Sequence, residues 1–172
     1  MKSTKTDLKP NILIQKRTNL ENQLNRYWSI IEKENVIPKG KVRNYNLKAI
    51  LSTLKPLYDQ LVEVKLRIQC ANLGMKYKDL PSDANIINVY RYSALSDYKK
   101  RLTMIMNKYT ISPNTKKKYG KRNLRVTEEL TSDYLKKLID ECTLPINKLQ
   151  KSITDFNDNV TIEEEVPEHL TV

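Results

Sequence analysis

The chain has 172 residues, with 31 Lys and Arg against 20 Asp and Glu and a formal net charge of +11. That length suits one domain, or one domain with tails, and is enough to bury a core without metal or disulfide staples. Only three glycines argue against a turn-rich all-β fold, and no run approaches the roughly 18 apolar residues that would span a membrane.

The start of the chain is polar and basic (Lys2, Lys5, Lys9), with no apolar run behind it, so it does not read as a secretory leader. Cys70 and Cys142 lie far apart and form no metal-type cluster. Each sits on an apolar stripe, where a thiol is usually a small core residue. The expectation is a protein that is not secreted, working in the cytoplasm or assembled into a virion.

Prolines at 10, 38, 56, 81, 113, 145 and 167 punctuate the chain. A first helix is predicted over residues 12–35, with Leu13, Leu20, Leu24, Tyr27 and Ile31 on one face, ending before Pro38 and Gly40. A second, over 45–73, has the cleanest pattern. Leu47, Ile50, Leu54, Leu57, Leu61, Val64, Ile68 and Ala71 alternate steps of three and four. Leu51, Tyr58, Val62 and Leu66 add a second apolar side. The phase continues across Pro56, so a kink is expected there rather than a stop, and Gly74 fits just past the helix end.

After a polar link over 75–81, Ser82 and Asp83 suggest caps for a third helix. It would carry Ile87, Tyr90, Ala94, Tyr98, Leu102, Ile105 and Tyr109. A basic connection follows. Thr127 is then expected to cap a fourth helix, with Glu128 and Glu129 near its positive end and Leu130, Tyr134, Leu138 and Cys142 as its stripe. Pro145 should separate a short fifth helix bearing Ile146, Leu149, Ile153 and Phe156.

The fold class this implies is all-α: a bundle of four to five helices with a basic connecting loop and an extended acidic C-terminal tail. The division expected is a basic arm over 1–11, the bundle over 12–156 and the acidic tail over 157–172. The regular seam of the second helix could serve inside the bundle or meet a partner helix.

Little in the chain suggests catalysis. His169, the single histidine, lies in the acidic tail four residues from the end, and a tail rarely supplies the positioned partner and pocket that a catalytic histidine needs. No phosphate-cradling glycine loop or nucleophile elbow is present. Adjacent acids such as Asp140 and Glu141 diverge around a helix and do not face one site. No catalytic residue, metal, cofactor or small-molecule substrate is indicated, and the chain is not expected to be an enzyme.

Charge distribution says more. Residues 152–172 hold Asp155, Asp158, Glu163, Glu164, Glu165 and Glu168 but no Lys or Arg, so the basic excess belongs to the body. Within it, Lys116, Lys117, Lys118, Lys121, Arg122 and Arg125 cluster around Tyr119. Cations release counterions from a phosphate backbone, and an aromatic ring can stack a base. The basic start of the chain, with Lys16 and Arg17, could add a second contact. A Lys-rich link can equally be a solvated loop or meet an acidic protein.

One local stretch, Ile111-Ser112-Pro113-Asn114-Thr115 with Lys116 to Tyr119, then Leu130-Thr131 and Tyr134-Leu135, resembles the helical core-binding domain of tyrosine recombinases. The resemblance would imply a helical segment that clamps DNA. It is confined to residues 111–135, and the spacing between its halves is too short. Gly120 falls where that family continues a helix, and no catalytic Arg-His-Tyr set follows.

Two functions are expected. The first is a non-enzymatic structural or adaptor subunit of a larger assembly, specifically a phage or virus particle component, with protein subunits (itself included) as partners. The second is a nucleic-acid-binding protein using the cluster at 116–125.

Overall fold

The computed structural model of the protein describes residues 9–119 and 124–160. They form α1 (Pro10–Glu34), β1 (Val36–Pro38), α2 (Leu47–Asn72), a 3-10 turn (Tyr77–Asp79), α3 (Asn85–Lys108), α4 (Pro113–Tyr119), β2 (Val126–Glu128) and α5 (Ser132–Asn159). The fold is an all-α bundle. Its four long helices, α1, α2, α3 and α5, alternate in direction, and α3 packs against both α2 and α5.

Local chemistry sets the helix ends. Pro10 opens α1, where its missing N–H is no loss. The side chain of Asn46 caps α2 by accepting from Ala49 N at 2.9 Å. At the other end of α2, Gly74 takes φ +68°, with Met75 N donating to Cys70 O and Gly74 N to Ala71 O, both close to 3 Å. That pair is a Schellman closure, which needs a residue tolerant of positive φ.

Leu47, Leu54, Leu57, Leu61 and Val64 are buried, as are Leu51, Tyr58, Val62 and Leu66 on the second side. The regular seam of α2 is therefore used inside the bundle. The core also holds Leu20, Leu24, Trp28 and Ile31 of α1, Tyr98, Leu102 and Ile105 of α3, and Leu130, Leu135 and Cys142.

Several expectations are corrected. In α1 the buried residue is Trp28, with Tyr27 only partly covered. Ser82 and Asp83 do not cap α3, whose cap position is Ala84 without a side-chain bond. Thr127 does not start a helix. It lies in β2, and the cap of the last helix is Thr131, whose Oγ1 accepts from Tyr134 N at 3.2 Å. Pro145 does not divide that helix, because α5 runs unbroken through it, as α2 runs through Pro56. Packing overrides a local penalty of about 3 kcal/mol for an interior proline.

The basic connection is not wholly a loop, since residues 113–119 form α4. The two strands were not anticipated: Val36 pairs with Glu128, Ile37 with Thr127 and Pro38 with Val126, antiparallel. Helix α1 includes Pro10 and Asn11, and α5 continues through Asn159 into the segment read as tail. Residues 1–8 and 161–172 lie outside the described residues.

Candidate nucleic-acid interface

The strand pair gathers one end of the bundle. The end of α1, the start of α2, the end of α3 and the start of α5 all meet there. Asn35, fully buried, is the joint. Its Nδ2 donates to Tyr109 O at 2.6 Å and Leu130 O at 2.9 Å, and its Oδ1 accepts from Leu130 N at 2.7 Å. One side chain thus satisfies three backbone groups on two other segments, groups that would be costly to bury unpaired.

A second joint fixes the loop between β1 and α2. Arg43 reaches back through Nε to Glu34 O at 3.0 Å and through Nη2 to Asn35 O and Thr127 O, both at 2.9 Å. Lys39 N donates to Arg125 O at 2.8 Å, extending the strand pairing. Lys41 N donates to Pro38 O, closing a turn in which Gly40 has φ +92°. A turn of that hand needs φ > 0, which glycine supplies. The turn holds Lys39 and Lys41 exposed on either side of Gly40.

The structure therefore sets Arg125, of the predicted cluster, beside cations that lie far away in sequence. Lys117, Lys118 and Arg125 are exposed, and Arg125 is bonded directly to the Lys39 segment. Lys116 plays a different part. Its ammonium pairs with Glu128, whose side chain is only 5% exposed and whose Oε2 also accepts from Ile111 N at 2.6 Å. It is a structural cation first. Tyr119 is the last residue of α4. Lys121 and Arg122 lie outside the described residues.

Two acids beside this patch are engaged within the fold. Glu128 holds Lys116 and Ile111. Glu129 accepts from Lys48 N at 3.1 Å, at the start of α2, and lies 3.9 Å from Arg43 Nε. Sequence reading placed these two acids at the start of the last helix; Glu129 instead serves the N-terminus of α2. Both carboxylates are thus engaged within the fold beside exposed cations, while Asp133, in the first turn of α5, is exposed at the same end.

The start of the chain does not join the patch. Lys9 precedes α1 at the opposite end of the bundle, about 37 Å away along a helix of that length. Arg17 sits beside Glu21 within α1. The signal that sequence reading passed over was the short run Lys39, Lys41, Arg43 and Tyr45, just after two β-branched residues. Tyr45 is 43% exposed and Val42 82% exposed on this anchored loop.

A cleft of about 370 Å³ opens midway along the bundle between α1, α2 and α3. Its polar groups answer one another. Trp28 Nε1 donates to Tyr58 OH, which donates to Asp97 Oδ2 at 2.5 Å, and Arg101 bonds Asp97 at 3.1 Å and Asn25 at 2.9 Å. Burial first, and the bond to Asp97 next, push the Tyr58 phenol well above its ordinary pKa. Lys65 lies beside Glu21. With each charge matched locally, the cleft reads as a polar seam in the packing.

Among the described residues no group of His, Cys, Asp and Glu could hold a metal, and no helix is long and apolar enough to cross a membrane. Comparison with protein-family models, with curated proteins and with solved structures finds no match to this chain.

Proposed function

We propose that this chain is a non-catalytic subunit that contacts a nucleic-acid backbone through the strand-paired end of its bundle. The observation that carries the reading is the bonding of the Lys39–Lys41 turn to the Arg125 segment, with α4, which carries exposed Lys117 and Lys118, tied to the same strand through Lys116 and Glu128. A rigid loop held by Arg43 presents these cations with little ordering left to do on binding, which lowers the cost of association. Phosphates would displace counterions from the patch, so affinity should fall steeply with salt.

The test is fluorescence anisotropy of labelled oligonucleotides across a salt series. The comparison is between the natural chain and a variant with Lys39, Lys41, Lys117, Lys118 and Arg125 changed to Gln. The variant should lose most of its affinity and flatten its salt slope, each neutralised contact lowering the slope by about 1. It should keep the helical circular dichroism of the natural chain, because Lys116 and Arg43 are left in place. Equal binding by both proteins would refute the reading.

A second reading, a structural or adaptor subunit of a particle, is favoured by α5. Its stripe continues through Ile146, Leu149 and Ile153, which are only partly covered, to Phe156 at 47% exposure. An apolar face left incomplete is one that protein neighbours cover. Concentration-dependent self-association that Phe156→Glu abolishes would support it.

A further inference from the structure

The geometry points to a single-stranded nucleic acid as the ligand of this end, with a base stacked on Tyr45 between the lysines of the β1–α2 loop and the start of α2. This rests on the reading of the strand-paired end as a nucleic-acid interface, and goes beyond it by naming the form of the polymer and the residue that selects it.

Three observations carry it. The first is the ring itself. Tyr45 is an exposed aromatic on a loop whose neighbours Lys41 and Lys48 are exposed cations. Val42, the most exposed large apolar side chain of the described residues, lies on the same loop. Apolar surface held open amid cations suits the face of an unpaired base, whereas in a duplex the base faces are already stacked on one another.

The second is contrast with other tyrosines. The rings of Tyr77, Tyr98 and Tyr134 lie under Arg67, Lys55 and Lys48, at 4.7, 5.8 and 5.6 Å from the ring centroids. Those faces are already covered from one side by the protein's own cations. The third is the support. The loop is anchored by Arg43 to three carbonyls and by Asn46 at the start of α2. Tyr45, directly between these anchors, is therefore held on a fixed backbone. A duplex reader would instead lay a long helix or a long strand ribbon along a groove, whereas here α4 has 7 residues, each strand of the pair has 3, and α2 brings only its first turn to the loop.

The experiment measures anisotropy with oligothymidine, oligouridine and a mixed-sequence duplex of equal length, using the natural chain, Tyr45→Ala and Tyr45→Phe. Either single strand should bind tighter than the duplex, and the tighter of the two identifies the sugar preferred. Tyr45→Ala should weaken single-strand binding about tenfold, within the range for one lost stacking contact, without changing the salt slope. Tyr45→Phe should bind as the natural chain does. Duplex binding as tight as single-strand binding, or no effect of Tyr45→Ala, overturns the inference while leaving the backbone-contact reading intact. Absence of any salt-sensitive binding overturns both.

Discussion

The two ends of the bundle are built differently. At the strand-paired end, Asn35, Arg43 and Glu128 tie α1, the β1–α2 loop, α3 and β2 together through hydrogen bonds to backbone groups. Leu102, Ile105, Leu130 and Leu135 there are fully buried. At the far end, α1 and α2 still close over Leu13, Leu66 and Cys70. The pair α3–α5, however, leaves Ile86, Ile87, Leu149 and Ile153 only partly covered, joined by a bond from Asn88 to Ser152 at 3.0 Å. Rigidity is concentrated where the cations are. On the proposed reading, a surface that meets a polyanion gains from being fixed in advance, and apolar surface left partly open is where a neighbour can add burial.

The sharpest way to break this contrast is Asn35→Ala. It strands the N–H and C=O of Leu130 and the C=O of Tyr109 in the interior, and should cost about 3–5 kcal/mol in urea denaturation. A loss under about 1 kcal/mol would mean that water replaces the side chain and that this end is less closed than described.

A paired truncation sharpens it further. Leu102→Ala, at a fully buried site, should cost about 3 kcal/mol, whereas Leu149→Ala should cost about 1 kcal/mol because solvent already reaches part of that side chain. Equal losses would erase the distinction between the ends.

The smallest effect concerns alkaline pH and the stretch between the ends. Burial raises the pKa of Cys70, Cys142, Tyr58 and Tyr98 above their ordinary values. A raised folded pKa means that the folded chain keeps protons the unfolded chain has released. The contribution is therefore whole below the unfolded pKa and is lost as pH rises through the folded one. The urea midpoint should fall from about pH 8.5 as unfolded thiols ionise, and further above about pH 10 as unfolded phenols do. Tyr98→Phe should flatten the upper part of that decline.

Much of the fold was legible because α2 repeats its apolar residues so regularly that helix, boundaries and the αL turn at Gly74 follow from pattern alone. Helix α5 was misread at both ends for local reasons. Thr127 followed by Glu128 and Glu129 looks like a capped start, and Pro145 looks like a stop. The strand pairing with Val36–Pro38 claimed the first, and packing of Cys142 and Ile146 on either side of Pro145 carried the helix through the second. Asn35 gave no local sign of its role, since its partners lie 74 and 95 positions away. The candidate interface was half visible. Lys117, Lys118 and Arg125 stood out as a run, but Lys39, Lys41 and Tyr45 join them only through a two-strand contact too short to leave a periodic trace.

With four long helices alternating in direction, the start of α1 and the end of α5 lie at the same end of the bundle, away from the Lys39 turn. A dye or surface linker placed at Lys9 or Val160 would therefore stand off by roughly a helix length, some 40 Å. Immobilised that way, the molecule is a short rigid post with its cationic face held outward. A donor at Val160 and an acceptor at Val42 would measure the length of that post directly.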